Sequence, residues 1–519
     1  MFVHVTLQGT RSMNDFAANG QMHYSARQIH GIFCGLVLIM LLGTLDQAIV
    51  APALAPIATQ FGGFENASWV VTAYLLMSTA STPVAGRLSD IYGRRITVIA
   101  ALALFLVGSI LCGWAPNLNT LIIGRGVQGL GGGAMMALPN TIVADILSPR
   151  ERGRYQPYIS GTYAVSSLAG PVLGGVLSDL YSWRWIFWIN LPLIVIAAAF
   201  SWLKLGGLSA RRKQHRIDYL GSLLMTSSTV CLLLALTWGG RRFAWSSLPV
   251  IGLASGAILL AALFLAWQRR AREPLLPLSI LSNRIIVVTS IGAVLILMVN
   301  MALSIYLPLY LELCRAQTVG EAGVLLTAPL FGVVLGSYAS GQHMRYSNNY
   351  KLPPLAGLAL AMAALGTLSY GLANLPTSAL VALTFVEGLG IGASLPPMMV
   401  SSQNSVPAND IGIATAVHTF FRAVGGTVGV AVFSALVLHM LGPDATFHPG
   451  SHGPASFADS RVAATNATHV FSVFFAACAA TLALAWMALR KLPIIPFRTS
   501  AARFELAAQE IHFPRTEPV

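Results

Sequence analysis

Long apolar stretches make up most of the chain, and short polar or basic segments separate them. A transmembrane helix needs about 20 mostly apolar residues. Strands of a membrane barrel would alternate apolar and polar residues at every second position, and these stretches do not alternate. The pattern therefore predicts an all-α polytopic membrane protein with fourteen transmembrane helices. The predicted spans lie near residues 32–51, 69–86, 96–115, 119–139, 158–178, 186–203, 217–238, 248–267, 285–311, 322–341, 353–372, 378–400, 411–438 and 468–489.

The composition agrees with this prediction and excludes other classes of protein. Hydrophobic residues make up 55% of the chain and charged residues only 9%, which a soluble globule of ordinary surface cannot accommodate. The chain has no Gly-x-x-x-x-Gly-Lys-Ser/Thr loop for phosphate and no His-Glu-x-x-His or Cys-x-x-Cys spacing for a metal. We therefore expect neither an enzyme nor a primary pump, no metal site and no cofactor. The energy source is then an ion gradient, and protons are the expected ion.

The net charge of +13 is explained by where the basic residues lie. With the N-terminus placed inside, most of the 31 Lys and Arg fall on one side of the membrane. Such an excess marks the cytoplasmic side. The sequence therefore predicts a multi-pass protein of the plasma (cytoplasmic or inner) membrane, with both termini in the cytoplasm and no nucleic-acid partner.

The two halves of the chain resemble each other. Gly170 and Gly174 recur as Gly425 and Gly429, and the block QGLGGGA at 128–134 resembles EGLGIGA at 387–393. Duplicated helical bundles around a midplane cavity are a common plan for transporters. The expected division is a cytoplasmic N-terminal segment (1–31), an N-terminal six-helix bundle (32–203), a linker with two inserted transmembrane helices (204–284), a C-terminal six-helix bundle (285–489) and a cytoplasmic tail (490–519).

A short loop between the second and third predicted spans reads GRLSDIYGRR over residues 86–95. Glycines allow the backbone to turn within so few residues. The single acid can pair with a basic neighbour or with the end of another helix, and such contacts differ between conformations. We interpret the loop as a conformational latch, with ordinary positive-inside loop chemistry as the alternative. The residues assigned to the latch are Gly86, Asp90, Gly93, Arg94 and Arg95.

Charged side chains inside predicted spans are costly and rarely accidental. Asp46 is the strongest candidate for an acid that binds and releases a proton, because burial favours its protonated form and a nearby guanidinium favours its charged form. Arg125 is the basic residue of another span in the same half. The alternative for these two residues is a static buried ion pair that holds helices in position.

Four polar side chains in the C-terminal half are candidates for lining a substrate cavity. Glu387 lies within the twelfth predicted span, where it would bind a cationic substrate or be a hydrogen-bonded structural glutamate. His418 and Arg422 are four residues apart and share one helix face, although a packing role fits His418 equally well. Asn300 lies one residue from the repeat position of Asp46.

Small residues recur at every fourth position in two spans, which lets another helix come close. They are Ser166, Gly170 and Gly174 in the fifth span and Gly332, Gly336 and Ser340 in the tenth. We hypothesise that these two faces meet across the halves and close one end of the cavity. Close packing inside one bundle is the alternative.

Over about residues 30–490, the chain resembles the drug:proton antiporters of the major facilitator superfamily, in the branch with fourteen spans often called EmrB/QacA-like. The latch loop resembles the superfamily's signature loop. The other similar blocks are 45–56 (LDQAIVAPALAP) for the first-helix motif, 125–133 (RGVQGLGGG) for the arginine motif, 170–175 (GPVLGG) for the antiporter motif, 183–192 (WRWIFWINLP) and 272–277 (REPLLP). The antiporter motif is carried by Ser166, Gly170, Pro171, Gly174 and Gly175, and Ser166 replaces the upstream glycine of the pattern.

The resemblance implies the major facilitator fold and a proton-coupling role for Asp46 and Arg125. It implies a secondary active transporter that exports small lipophilic, cationic or amphipathic compounds, such as drugs and toxins, in exchange for protons by alternating access. The expected partners are substrates, protons and the lipid bilayer. Some members of the branch also work with a periplasmic adaptor and an outer-membrane channel, whereas others act alone. Two alternatives stay open: a proton-coupled transporter of one specific metabolite or siderophore, and a non-transporting membrane receptor or scaffold.

Overall fold

The regular structure of this protein is helical. The computed structural model describes residues 26–61, 69–205, 218–240, 242–271, 273–315, 317, 319–347, 349–407, 410–441 and 461–496. Most of the predicted N-terminal segment (1–31) and of the predicted tail (490–519) lies outside these ranges. Within them, the one β interaction is an isolated bridge between Gly239 and Phe243. The prediction of an all-α fold is confirmed.

Long helices joined by short connections follow one another through the described chain. They are α1 (Ala26–Phe61), α2 (Trp69–Tyr92), α3 (Arg94–Gly113), α4 (Leu118–Ile146), α5 (Pro149–Leu180), α6 (Asn190–Lys204), α7 (Tyr219–Trp238), α8 (Leu248–Gln268), α9 (Arg284–Arg315), α10 (Thr327–Tyr346), α11 (Leu352–Gly371), α12 (Thr377–Asn404), α13 (Ile411–Leu441) and α14 (Arg461–Leu489). Shorter helices cover Trp185–Trp188, Leu278–Leu281 and Val319–Leu325.

Twelve helices in the described part of the chain are long and apolar enough to cross a membrane, so the protein is a multi-pass membrane protein. The predicted spans near 69–86 and 158–178 correspond to α2 and α5, which are not among the twelve. Both are long, but α2 carries several Ser and Thr residues, and α5 begins with the polar sequence PRERGRYQ. The structure therefore supports twelve spans, and the count of fourteen stays a prediction.

The two halves repeat the same helix packing, and this is clearest where glycines allow close approach. A Cβ atom added at Gly129 of α4 would meet the backbone of α2, and one added at Gly388 of α12 would meet the backbone of α10. Gly131 approaches α3 in the same way as Gly390 approaches α11. Helices α2, α3 and α4 thus correspond to α10, α11 and α12, in register with the repeated glycine blocks.

The remaining helices follow the same repeat. Gly170 of α5 approaches Ala48 of α1, and Gly425 of α13 approaches Val294 of α9. Each half also has its own buried hydrophobic cluster, built from α1 and α3–α6 with their neighbours in the first half and from α9–α14 in the second. The packing therefore has two bundles, while the predicted residue boundaries between them stay predictions.

Helices α7 and α8 lie between the two halves in sequence and pack on each other. Helix α7 also contacts α2 of the first half and α13 of the second. At one end of α7, the rings of Trp69 and Trp238 pack edge to face with their centroids 5.7 Å apart. The pair α7–α8 therefore bridges the two halves along one side of the molecule.

Asp218 holds the other end of this helix pair together. Its carboxylate accepts hydrogen bonds from the Gly221 backbone N–H at 2.8 Å, from Trp267 Nε1 at 2.8 Å and from Gln268 Nε2 at 2.7 Å. Burial opposes the charge of the carboxylate, but these hydrogen bonds outweigh burial and hold the pKa of Asp218 below its ordinary value. The α7 N-terminus and the α8 C-terminus are thereby linked through one charged side chain.

Candidate functional site

A buried ion pair joins α1 and α4 inside the N-terminal half. Arg125 Nη1 donates to Asp46 Oδ2 at 2.6 Å, and the side chains are 1% and 0% exposed. Burial makes it costly to leave either charge without its partner. The sequence analysis singled out both residues, and the structure brings them into direct contact.

Neutral side chains complete the network around this pair. Asp46 Oδ1 accepts hydrogen bonds from Gln128 Nε2 and from Asn190 Nδ2, each at 2.8 Å. Gln128 Oε1 accepts from Arg125 Nη1 at 2.8 Å, and Gln128 Nε2 also donates to Ser109 Oγ at 3.0 Å. Helices α1, α3, α4 and α6 therefore all contribute side chains to the hydrogen-bond network around Asp46.

Arg125 is also fixed by α2. Its Nε donates to the Val70 carbonyl at 3.0 Å, and its guanidinium carbon lies 4.3 Å from the centroid of the Tyr74 ring. Cation–π contacts of this kind add to the stabilisation of a desolvated arginine. A change in the charge of Asp46 would therefore act on five helices of the N-terminal half.

Gln128, Asn190 and Ser109 are site residues that the sequence analysis did not single out. Gln128 lies one helical turn after Arg125, so their spacing was an available signal. Asn190 is the polar residue at the end of an apolar run in the block WRWIFWINLP. Ser109 gave no signal, because serines inside helices commonly bond to their own backbone, as Ser109 does to the Phe105 carbonyl at 2.8 Å.

Residues 86–95, which the sequence predicts as a loop, are mostly helical: they form the end of α2, the single residue Gly93 and the start of α3, and we keep the name latch loop for them. They lie against the C-terminal half. Arg94 pairs with Asp90 and donates from Nε to Asp145 Oδ2 at 2.7 Å. Asp90 Oδ2 also accepts the Ile413 backbone N–H at 3.0 Å, in the first turn of α13, where a carboxylate is favoured by the helix dipole. A Cβ atom added at Gly86 would meet α13 itself. The loop thus makes the kind of contact that the latch interpretation requires, and its role in switching stays a prediction.

Gly93 and Arg95 contribute differently to this loop. Gly93 has a φ angle of 91°, in the left-handed region that favours glycine, so the chain can turn sharply between α2 and α3. The Arg95 guanidinium stacks over the Trp202 ring of α6 at 3.8 Å. Arg95 therefore contacts α6 of its own half.

Further contacts between the halves lie near the same end of the helices. Arg152 Nη1 donates to Gln403 Oε1 at 3.0 Å, and Gln403 Nε2 donates to the Asn140 carbonyl at 3.3 Å. The hydroxyl groups of Ser160 and Ser337 are 2.8 Å apart. These contacts join α4 and α5 to α10 and α12. The two halves are therefore closed on each other at the end of the molecule that carries the latch loop.

The small-residue faces of α5 and α10 do not meet, so the hypothesis that they close the cavity together is wrong for this conformation. The hydroxyl groups of Ser166 and Thr44 lie 2.6 Å apart, and α1 backbone fills the Cβ position of Gly174. Gly332 and Gly336 approach the backbone of α12. Each small-residue face is used by a helix of its own half, which leaves other faces of α5 and α10 to join the halves. The structure shows the alternative, close packing inside one bundle.

Two residues of the antiporter motif lie away from the α1–α5 contact. Pro171 is exposed, and a Cβ atom added at Gly175 would meet nothing within 4 Å. Ser166, Gly170 and Gly174 make the helix contact, whereas Pro171 and Gly175 do not. The role of the motif in antiport stays a prediction.

The four cavity candidates have different surroundings. Glu387 is 3% exposed and His418 is 0% exposed. Glu387 Oε1 and both ring nitrogens of His418 have no hydrogen-bond partner among the described residues. Asn300 and Arg422 are half-buried. In this conformation Glu387 and His418 are enclosed by packed helices, and their role in lining a substrate cavity stays a prediction.

An apolar cavity of about 250 Å³ lies between α9 and α13. Its lining includes Ser290, Val294, Val417 and Phe421, and none of the four cavity candidates belongs to it. Ser290 is the polar residue of the lining, and its hydroxyl oxygen has no partner in the described part of the chain. The cavity therefore has no charged group with which to select a substrate.

Comparisons with known proteins agree with this architecture. Residues 36–430 match the family described as the Major Facilitator Superfamily. The chain is 33% identical over 410 residues to multidrug transporter protein MdtP of Bacillus subtilis, a match that covers 78% of this chain and 75% of that protein. It is also 33% identical over 410 residues to an uncharacterised MFS-type transporter of Mycobacterium tuberculosis, covering 79% of this chain but only 60% of that relative's length.

A solved structure shows the same fold. The proton:xylose symporter XylE superposes with a TM-score of 0.61 at 14% sequence identity, over 93% of this chain and 100% of that chain. At this identity the likeness shows the fold alone, which is two helical bundles of a common design. The family match covers more than half of the chain, and MdtP is matched over most of its own length. The chain therefore belongs to the Major Facilitator Superfamily, a family of membrane transporters rather than of enzymes.

Proposed function

We propose that the protein is a secondary active transporter that exports small lipophilic, cationic or amphipathic compounds, such as drugs and toxins, in exchange for protons. The observation that carries this proposal is the fully buried pair of Asp46 and Arg125. A buried ion pair is weak evidence for a stabilising role, because desolvation offsets much of its Coulombic attraction. Ionisable residues inside membrane helices more often mark ion pathways.

Proton binding at Asp46 is the coupling step. The carboxylate accepts hydrogen bonds from Arg125, Gln128 and Asn190. Protonation would remove the negative charge, leave Arg125 without its ion partner and turn one acceptor oxygen into a donor. Helices α1, α3, α4 and α6 would then favour a different arrangement, which links the proton to a change of conformation. The competing interpretation is a static pair.

Alternating access supplies the transport cycle, because two bundles rock about a site between them. The structure is closed at the end that carries the latch loop, and the positive-inside pattern assigns that end to the cytoplasm. We take this conformation as the one closed to the cytoplasm. Opening would break the contact of Asp90 with α13, which is the role proposed for the latch.

The membrane topology proposed here has fourteen spans, as in the EmrB/QacA-like branch, with both termini in the cytoplasm. It adds α2 and α5 to the twelve apolar helices. Each is enclosed on one side by a helix that is itself a candidate span, since α2 packs on α4 and α5 packs on α1. A helix that is covered in this way needs a less apolar surface than one surrounded by lipid.

Drug export is supported by the name of a relative, since the 33% identical MdtP is described as a multidrug transporter. The driving force in the proposal is the proton gradient, with no metal and no organic cofactor. A periplasmic adaptor and an outer-membrane channel are not needed for it. Activity that appears only when such partners are co-expressed would add these partners to the proposal.

Dye efflux from cells that lack their own exporters tests the proposal. The cells carry this protein, its Asp46→Asn variant or an empty vector, and efflux is followed with and without an imposed pH gradient. Efflux that needs both the gradient and Asp46 would support proton-coupled drug export. A well-expressed protein without dye efflux, yet with proton-coupled uptake or release of one polar compound, would favour a metabolite or siderophore transporter. No transport of any tested compound would favour a receptor or scaffold.

A further inference from the structure

Glu387 is a membrane-embedded acid that the proposed coupling step does not use. It lies in the middle of α12 and is 3% exposed, and its Oε1 has no hydrogen-bond partner among the described residues. It is the only charged residue of α12, and the adjacent α11 carries none. Such a group is rare, because burying an unpaired carboxylate in a low-dielectric core is strongly unfavourable.

The repeat identifies the counterpart of Glu387 in the N-terminal half. Gly388 approaches α10 as Gly129 approaches α2, and Gly390 approaches α11 as Gly131 approaches α3. The residue before each glycine pair is Glu387 in α12 and Gln128 in α4. Glu387 therefore occupies the position at which the N-terminal half places a member of its ion-pair network.

The two positions differ in the partners around them. Gln128 exchanges hydrogen bonds with Asp46, Arg125 and Ser109. In α12, the register of the repeat places Thr384 where α4 has Arg125, so the arginine is missing. The Thr384 hydroxyl donates to its own helix, to the Val381 carbonyl at 3.0 Å. At the equivalent position, the C-terminal half thus has an acid in α12 but no arginine one turn before it.

The helices around α12 show no charge partner for Glu387 among the described side chains. Cys478 of α14 is the titratable side chain that lies near the Glu387 carboxyl, and it carries no charge to offset a carboxylate. Within the described residues, the ion pairs do not include Glu387. Among the described side chains of the helices around α12, the charged and histidine residues are Glu151, Arg152 and Asp179 of α5, Arg284, Glu312 and Arg315 of α9, His343 and Arg345 of α10, His418, Arg422 and His439 of α13, and His469 of α14.

We propose that Glu387 is a second proton-binding site, which makes one site in each half of the transporter. In the conformation described here Glu387 is a neutral carboxylic acid, whereas Asp46 is a charged carboxylate paired with Arg125. In the other conformation of the cycle, water reaches Glu387 and the proton is released. This inference rests on the proposed proton-coupled transport, and it adds a second proton to each cycle.

Infrared spectroscopy of the purified protein at neutral pH tests the protonation state directly. A protonated carboxylic acid has a C=O stretching band that is separate from the carboxylate bands, and solvent-exposed acids are ionised at this pH. We expect such a band in the unsubstituted protein, its loss in Glu387→Gln and its retention in the control Asp46→Asn. Gln is close in shape to Glu and is the residue that the repeat carries at Gln128. A spectrum in which Glu387→Gln removes no such band would overturn the proposal.

Transport in proteoliposomes tests whether this proton moves. The number of protons exchanged per substrate should be halved in Glu387→Gln. An unchanged ratio, with the infrared band lost, would overturn the proposal by showing that Glu387 is a neutral structural acid. If the unsubstituted protein transports no compound with protons, the proposed function fails, and the infrared result still decides whether Glu387 holds a proton. The two failures are therefore distinguishable.

Discussion

Replacing Asp46 by Asn tests whether the buried pair does more than hold helices together. The change removes one charge and leaves Arg125, whose side chain is 1% exposed, without its ion partner. Asp46 accepts from Arg125 through one oxygen and from Gln128 and Asn190 through the other. Asn has only one acceptor oxygen, so an amide turned to satisfy Gln128 and Asn190 directs its NH₂ group at the guanidinium.

The expected loss of stability follows from this geometry. Removing one partner of a buried pair costs about 3–5 kcal/mol. Arg125 keeps its hydrogen bonds to the Val70 carbonyl and Gln128 Oε1 and its contact with the Tyr74 ring, so we place Asp46→Asn near the lower end, at about 3 kcal/mol. Unfolding in mixed detergent micelles measures this free energy. In the dye assay, gradient-driven efflux should fall to that of cells with an empty vector.

The double variant Asp46→Asn/Arg125→Gln separates coupling from stability. It removes both charges of the pair, so it should be more stable than Asp46→Asn alone. If the pair were static, this double variant would export dye once it is folded, because its helices are held in place again. Proton coupling requires that it stay inactive. Gradient-driven efflux at the unsubstituted rate from either variant would refute the reasoning.

Close contacts and one carboxylate lead to three more predictions. Gly174→Leu should abolish export and lower thermal stability, because α1 backbone already fills the space that the new side chain needs. In the matched control Gly175→Leu the side chain enters open space, so export and thermal stability should both be kept. Equal behaviour of the two variants would contradict the packing account. Gly86→Leu should hold the halves apart at the latch end, so that a cysteine introduced into the loop, which has none of its own, is labelled more readily by thiol reagents while membrane expression persists. Unchanged labelling of that cysteine would count against the latch. The pKa of Asp218 is lower in the folded protein than in the unfolded chain, where it is about 3.9. Its contribution to stability is therefore present above about pH 3.9 and is lost as the pH falls through the pKa of the folded protein. The part of the tryptophan fluorescence that Trp267→Phe removes should therefore change only on strong acidification, or at neutral pH in Asp218→Ala, and a transition near neutral pH would contradict this sign.

Local features of the chain were enough to predict the helices and two of the site residues. An apolar run of about 20 residues has a single stable form in a bilayer, because the backbone must satisfy its own hydrogen bonds. Asp46 and Arg125 stood out for the same reason, since a charge in such a run is costly. The composition of α2 and α5 was harder to interpret, because neighbouring helices cover part of their surface.

The partners of each helix face were decided by tertiary structure. The spacing of Ser166, Gly170 and Gly174 showed that they share one face, but not that α1 rather than α10 occupies it. Likewise, the sequence marked Asp46 and Glu387 as buried acids without showing that the first has an arginine and the second has none.

The sequence by itself therefore determined the membrane class, the repeat and the acids to examine, because these depend on composition and on spacing within single helices. Only the tertiary structure decided which charges pair and where the two halves touch. Those contacts join residues far apart in the chain, such as Asp46 with Arg125 and Asp90 with Ile413. They depend on how whole helices are placed relative to one another, and the periodicity of a single helix carries no information about that placement.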